Sequence, residues 1–585
     1  MNQPPIPAQD GIDPDALQRK YQQERRKRLT AQASPYTPVG RAPAASASDG
    51  RAPLADEVDV VVVGGGFTGL ITAARLRESG IESVRIIEKG DDFGGVWFWN
   101  RYPGVRCDVD AYIYLPLLEE VGTVPTEKYA EGREIFAHCQ ALATKYGLYD
   151  DACLGTQVTE LRWEQDTARW VVSTDRGDSI RARHVCLGSG VLDLPKIPAV
   201  EGITEFAGHS FHSSRWDYDY TGGDSSGGLT GLKGKRVAVV GTAASAVQCI
   251  PVIAEYADEL YVVQRTPSIV DARENKATDV EWYRNQPAGW QRERMDNFTA
   301  LTSGVPQEVD LVDDRTTRML GGSRPAGEPQ ASKEEAAQRM LSGNYAKMEE
   351  LRARVDAIVD DAETAESLKP YYNLGCKRPQ FSDVYYETFN RGNVHLVDTR
   401  GRGLEAMTRE GIVAGGEEHA VDCVIFATGF AGGVPITEAG GFEIHGREQT
   451  LTEKWKTGVR SLHGMYTHGF PNLFVIGGIN QAVLTLNFTH VLDRQSRHMA
   501  DVLLRGRLAG ADSIEVTEDA ERRWTALTEA KSVSPQRELL DCTPSDQLDL
   551  FNSSYGGGPV EYFDILDRWL RDEIDRDLVF HHLAG

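Results

Sequence analysis

The 585-residue chain has little cysteine: eight residues, with no C-x-x-C pair and no regular spacing. That pattern argues against a disulfide framework and against a zinc site, so the cysteines read as reduced intracellular thiols and no metal is assigned. Positive charge is also scarce, with 63 Lys+Arg against 87 Asp+Glu, a net charge of -24 and a pI near 5.1. Such a chain repels phosphate backbones and anionic headgroups, which speaks against nucleic-acid and membrane partners. Apolar runs stay short of the roughly 18 residues that a bilayer span requires, and the opening MNQPPIPAQDGIDPDAL lacks the apolar stretch of a signal peptide. A cytoplasmic protein is expected.

What is abundant is glycine, 58 residues, and length enough for about three or four compact units. Asp13 can cap a helix whose first residue is Pro14, carrying LQRKYQQERRKRL. Its basic run Glu24 to Arg28 is expected to dock on the protein's own acidic surface. Residues 33–54, rich in Ala, Ser and Pro, read as a linker. The Gly/Ser stretch Thr221 to Gly231 marks a surface loop near a unit boundary, and about 275–365 the chain turns polar and helical without strands of its own.

Two glycine loops carry the chemistry. The β-branched run Val58 to Val63 feeds into Gly64-Gly65-Gly66-Phe67-Thr68-Gly69 and then a helical stretch. Strand, loop and helix are the parts of a dinucleotide site: Gly64 for the tight turn, Gly66 for close approach to a pyrophosphate, Gly69 for helix–strand packing. Glu88 ends the next strand, 24 residues past Gly64, where an acid meets ribose hydroxyls. The pattern recurs at Lys235 to Val240, followed by Gly241-Thr242-Ala243-Ala244-Ser245-Ala246. Here Arg265 stands at the same 24-residue offset from Gly241, and a cation there suits the 2′-phosphate of NADP. Ala243 places a methyl where backbone should approach phosphate, so this loop is expected either to sit farther out or to bind more weakly.

Two further segments resemble the fingerprints of type I Baeyer–Villiger monooxygenases: Gly94-Gly95-Val96-Trp97 through Tyr102-Pro103-Gly104 to Asp108, and Phe206-x-Gly208 through His212 to Trp216-Asp217. The likeness runs from about 55 to 570, and the N-terminal extension and Cys542-Thr543-Pro544 are similar to its longer members. Among those, PPIPAQ and the first helix look most like the pentalenolactone-pathway ketone oxygenases. The resemblance implies an α/β fold with two Rossmann-like dinucleotide-binding domains, a helical insertion and an N-terminal helical extension. Its boundaries are expected at 1–54 for the extension and linker, 55–220 for the first part of the FAD domain, 232–394 for the NADP domain and 395–585 for the rest of the FAD domain.

Inserting oxygen beside a carbonyl needs a peroxide nucleophile, which reduced flavin makes from O2 as a C4a-peroxyflavin, and a fixed cation to hold it. By resemblance Arg378 is that catalytic cation and Asp108 sets its position. The cofactor-binding set comprises Gly64, Gly66, Phe67, Thr68, Gly69, Glu88, Lys89, Gly95, Val96, Trp97, Asp108 and Tyr114, then Thr242, Ala243, Ser245, Ala246, Gln248, Arg265, Thr266, Lys377 and Arg378, for FAD and NADPH. Cys376 reads as core, His212 as a link between units, and Ser189 lacks the G-x-S-x-G elbow of a nucleophile. Where many members carry a C-terminal Trp, this chain has Asn552 to Gly558, which suits a bulky cyclic or terpenoid ketone. The expected product is an ester or lactone. A nitrogen- or sulfur-oxidising flavin monooxygenase and a non-catalytic NADP-binding sensor are the competing readings, and oligomeric state is not legible.

Overall fold

The computed structural model describes residues 13–31, 33–39, 51–190, 192–320, 333–432, 434–478, 480–532, 541–543 and 553–583. The apolar run at its centre forms strand Glu57–Val63, flanked in parallel by Val84–Ile87 and Ser179–Leu187. Val60, Val61 and Val62 are wholly buried. Both faces of the sheet are covered, which is why the run is continuous instead of alternating. The sheet has eight strands, running from Glu443–His445 through Val158–Glu164, Arg169–Thr174, Ser179–Leu187, Glu57–Val63 and Val84–Ile87 to Ala152–Cys153, with Leu473–Val475 also on Ser179–Leu187.

A second sheet has five parallel strands in the order Val394–Asp398, Glu259–Gln264, Arg236–Val240, Cys423–Phe426, His209–His212. This corrects the expected boundaries at 220 and 395. The second unit already begins with His209–His212 and extends through Cys423–Phe426, because these strands pair with each other and with Arg236–Val240. The expected boundary after residue 394 cuts the strand Val394–Asp398, whose pairing with Glu259–Gln264 makes it the edge of the second sheet. The chain crosses between the sheets twice, and the two crossings are bonded to each other. Lys196 N–H donates to Gly429 O at 3.0 Å and Ala431 N–H to Leu194 O at 2.8 Å.

The N-terminal helix Pro14–Thr30 begins where Asp13 accepts from the N–H groups of Asp15 and Ala16. It docks as expected on the chain's own acids, Lys20 on Glu366 at 3.1 Å and Arg25 on Asp541 at 3.0 Å. The expected linker is less free than its composition suggests: Tyr36–Pro38 is a strand paired with Lys196–Pro198. Helices Val280–Arg284, Trp290–Thr302, Arg315–Leu320, Lys333–Ile358 and Ala362–Leu368 make up the insertion, with no strand between them among the described residues.

One reading of the cysteines is overturned. Cys376 and Cys542 form a disulfide, so Cys376 is neither a core thiol nor reduced, while the other six are free and buried. The two lie 166 residues apart, a distance over which spacing carries no pairing information. Among the described residues, no helix is long and apolar enough to cross a membrane.

Candidate active site

The two glycine loops have nearly the same backbone. Gly64 and Gly241 turn at φ +105 and +116, where a Cβ would fall 2.9 Å from Gly188 O and 2.5 Å from Ala427 O respectively. Only glycine fits such turns without strain. A Cβ on Gly69 would come within 1.9 Å of Gly64 O, so the helix Phe67–Glu78 packs on its strand as closely as a missing side chain allows. In the second loop Ala246 takes that place, fully buried. Ala243 caps helix Ala244–Ala254 at φ -88 and ψ -163, against φ -76 and ψ -169 for Gly66. An alanine adopts this extended conformation freely, so the second loop keeps the shape of the first and does not sit farther out through strain. Neither helix has a side-chain cap. The N–H groups of both first turns are therefore available to an anion.

Around the first loop, the Glu88 carboxylate is buried and accepts from Gly65 N–H at 2.6 Å and Gly90 N–H at 2.7 Å, while burial pushes its pKa up. Each oxygen keeps a second lone pair for a ribose hydroxyl. Lys89 is ion-paired with Asp193. Gly95 packs on the loop, since a Cβ there would lie 2.7 Å from Gly66 Cα, and Trp97 Nε1–H donates to the Tyr114 hydroxyl at 3.2 Å. The Ser189 hydroxyl is buried in the cavity wall without a hydrogen-bond partner among the described residues. A cradle too tight for Cβ atoms and an orphaned hydroxyl both fit a bound flavin dinucleotide.

Asp108 sits where the two units meet. Its Oδ1 accepts from Arg273 at 2.9 Å and its Oδ2 from Arg378 at 3.4 Å. Arg273 is buried and also donates to Cys107 O at 2.8 Å and Phe381 O at 2.6 Å. The Arg378 side chain, by contrast, is 65% exposed. Both Asp108 and Arg378 line one cavity of about 1980 Å³, shared with Gly64, Gly66, Thr242 and Ala243. That is well above the roughly 300 to 1,000 Å³ of a pocket for one small molecule.

The comparisons agree with this arrangement. The pattern of the NAD(P)-binding Rossmann-like domain matches residues 62–121, across the first loop. Pentalenolactone D synthase of Streptomyces arenae is 49% identical over 95% of this chain and 98% of its own. A Baeyer-Villiger monooxygenase of Streptomyces coelicolor is 44% identical over 91% and 90%. Among solved structures, the polycyclic ketone monooxygenase of Thermothelomyces thermophila superposes with a TM-score of 0.89 at 33% identity, over 97% of this chain and 99% of its own. OTEMO, solved in complex with FAD and NADP, gives a TM-score of 0.73 at 27% identity over 90% and 100%. The chain belongs to the Baeyer–Villiger monooxygenases. It is an FAD- and NADPH-dependent enzyme that converts a ketone to an ester or lactone.

In this Baeyer–Villiger monooxygenase the second loop opens onto Arg265, Thr266 and Lys377. Thr242 Oγ1–H donates to Thr266 O at 3.0 Å, tying the loop to the strand end that carries Arg265. Burial pushes the Lys377 ammonium down to about 7, helped by the like charges of Arg265 and Arg28. Ser245 and Ala246, read from sequence as part of the loop, already lie on the first turn of helix Ala244–Ala254. Gln248 lines the same cavity and also bonds across to the first unit. Its amide accepts from the Tyr102 hydroxyl at 3.0 Å and donates to Arg106 O at 3.0 Å, while a Cβ on Gly104 would meet Gln248 O at 2.5 Å. The residue clamps the first fingerprint onto the second unit and keeps one amide N–H for the cavity.

The second fingerprint holds the crossing. His212 Nδ1 accepts from Ser214 N–H at 3.1 Å, so its Nε2–H donates to Gly429 O at 3.1 Å; burial pushes its pKa down to about 4. A neutral, doubly bonded imidazole fits the linking role. Where the C-terminal Trp is missing, Tyr555 turns inward and stacks on Trp524, leaving Gly556, Gly557 and Gly558 on the cavity wall; Asn552 lies outside the described residues. Sequence reasoning missed Arg273. No motif contains it, and nothing in its neighbours Ser268 to Ala272 singles it out.

Proposed function

We propose that Arg378 is the catalytic cation of this enzyme, that Asp108 positions it, and that the first loop holds FAD and the second NADPH. The substrate class is a bulky polycyclic or terpenoid ketone, which the names of the relatives and the glycine-lined wall support. Bound NADPH supplies a hydride to the flavin, and reduced flavin supplies activated O2. The protein supplies the charge. With its planar, delocalised positive charge, the Arg378 guanidinium can stabilise the negative charge that develops on the carbonyl oxygen as the new C–O bond forms. Asp108 restrains it through one oxygen only, at 3.4 Å, which leaves the guanidinium free to face the cavity. A cytoplasmic setting, where NADPH is maintained, suits such an enzyme.

The observation that carries the reading is one carboxylate, anchored from behind by Arg273, offering its other oxygen to an exposed arginine between two dinucleotide loops. The test is turnover of monocyclic and polycyclic ketones with NADPH under 18O2. A lactone bearing one labelled oxygen, formed fastest from the polycyclic ketones, is expected; turnover of thioethers alone, or preference for small rings, would contradict it.

A further inference from the structure

The basic run of the N-terminal helix does not serve one purpose. Lys20, Arg25 and Lys27 are ion-paired, with Glu366, Asp541 and Glu24. Arg28, on the last turn, points instead into the cavity beside Arg265 and Lys377. Its Nε donates to the Thr543 hydroxyl at 3.1 Å and one Nη to Tyr371 O at 3.4 Å, both neutral groups. The guanidinium carbon lies 5.6 Å from the centre of the Tyr372 ring, and Lys377 Nζ lies 5.7 Å from the same ring. Arg265 in turn lies 5.1 Å from the ring of Tyr36, which belongs to the same N-terminal segment. The seating is close: a Cβ on Gly401 would fall 3.0 Å from Ala31 Cβ and 3.5 Å from Arg28 Cα.

Among the described residues, no carboxylate stands within ion-pair distance of Arg28, Arg265 or Lys377. Glu24 and Asp541 are the nearest acids to act on Arg28, and both are ion-paired elsewhere, with Lys27 and Arg25, so in a chain of net charge -24 the three converging cations describe an anion site. A phosphate monoester has the charge and the acceptor oxygens to satisfy all three.

We propose that Arg28 is a third cation for the 2′-phosphate of NADPH, so that the N-terminal extension takes part in choosing NADPH over NADH. The inference rests on the reading of the second loop as the nicotinamide dinucleotide site. It makes the helix Pro14–Thr30 a wall of that site as well as a docking arm.

The test uses the full-length holoenzyme and calorimetric titration with 2′,5′-ADP and with 5′-AMP, with flavin content as the check on folding. Arg28→Ala should weaken 2′,5′-ADP about tenfold or more and 5′-AMP less than about twofold, and Arg28→Lys should recover most of the loss. The KM for NADPH should rise in parallel while that for NADH stays put. If Arg265→Ala weakens 2′,5′-ADP and Arg28→Ala does not, the inference fails and the reading of the second loop stands. If neither variant matters, that reading fails too. An equal loss of both ligands in Arg28→Ala would make Arg28 a structural prop and overturn its role at the phosphate; Arg28→Gln, which keeps bulk without charge, repeats the test if Arg28→Ala does not fold.

Discussion

Arg273 donates to Asp108 from a buried position at 2.9 Å, and this fixes the carboxylate before the exposed arginine ever reaches it. With both side chains largely out of solvent, losing Arg273 leaves the buried carboxylate with only the longer 3.4 Å contact to exposed Arg378. Arg273→Ala should cost about 3 to 5 kcal/mol of stability. A lowered Tm with reduced flavin content is the expected readout. Arg273→Lys should recover only part of it, because an ammonium cannot reproduce the planar fork that serves Asp108, Cys107 O and Phe381 O together.

Arg378→Ala removes the charge proposed to act on the reacting carbonyl and touches none of the contacts around the first loop. NADPH should still bleach the flavin, while lactone formation falls at least about 100-fold. Product analysis alongside NADPH consumption separates the two, with hydrogen peroxide accounting for the difference. Lactone formation at the wild-type rate would remove Arg378 from the catalytic role.

Lys377, pushed down to about 7, is charged below that pH and neutral above it. Phosphate favours the charged form, so NADP+ binding should take up a proton, and its Kd should rise by up to about tenfold per pH unit above 7. For folding alone the sign is opposite: the cost of burying the charge is fully present below about 7 and fades as pH rises toward the ordinary lysine value. Lys377→Arg should flatten the binding profile.

The Cys376–Cys542 bridge closes a long loop whose ends are 166 positions apart in sequence. Chain entropy assigns such a link up to about 5 kcal/mol. Treatment with dithiothreitol, or Cys542→Ser, should lower Tm by several degrees, and the six remaining buried thiols should stay unreactive in the native protein.

Ala243→Gly should change the KM for NADPH by less than about threefold. The loop already has the backbone of its glycine counterpart at Gly66, so removing the methyl alters room and not shape. A large gain in affinity would mean that the methyl does crowd the phosphate.

The parts legible in the sequence were those written in consecutive residues. Val58 to Val63 with Gly64 to Gly69, and Lys235 to Val240 with Gly241 to Ala246, each spell strand, turn and helix locally, and the structure forms them as spelled. What escaped depends on partners brought together by folding. Arg273 means nothing until it meets Asp108, 165 residues earlier. Nothing around Gln248 in sequence says that its amide will also bond to Tyr102 and Arg106, more than 140 residues earlier. The unit boundaries slipped for the same reason, since nothing near His209–His212 says which sheet it will join.

The paired crossings have a mechanical consequence. Residues 194–196 and 429–431 run side by side, bonded through Lys196 to Gly429 and Ala431 to Leu194, with His212 bonded to Gly429 as well. A single tether would let one unit tumble against the other. A bonded ribbon bends about one line and resists torsion, so displacement of the second unit against the first is expected to follow a single arc.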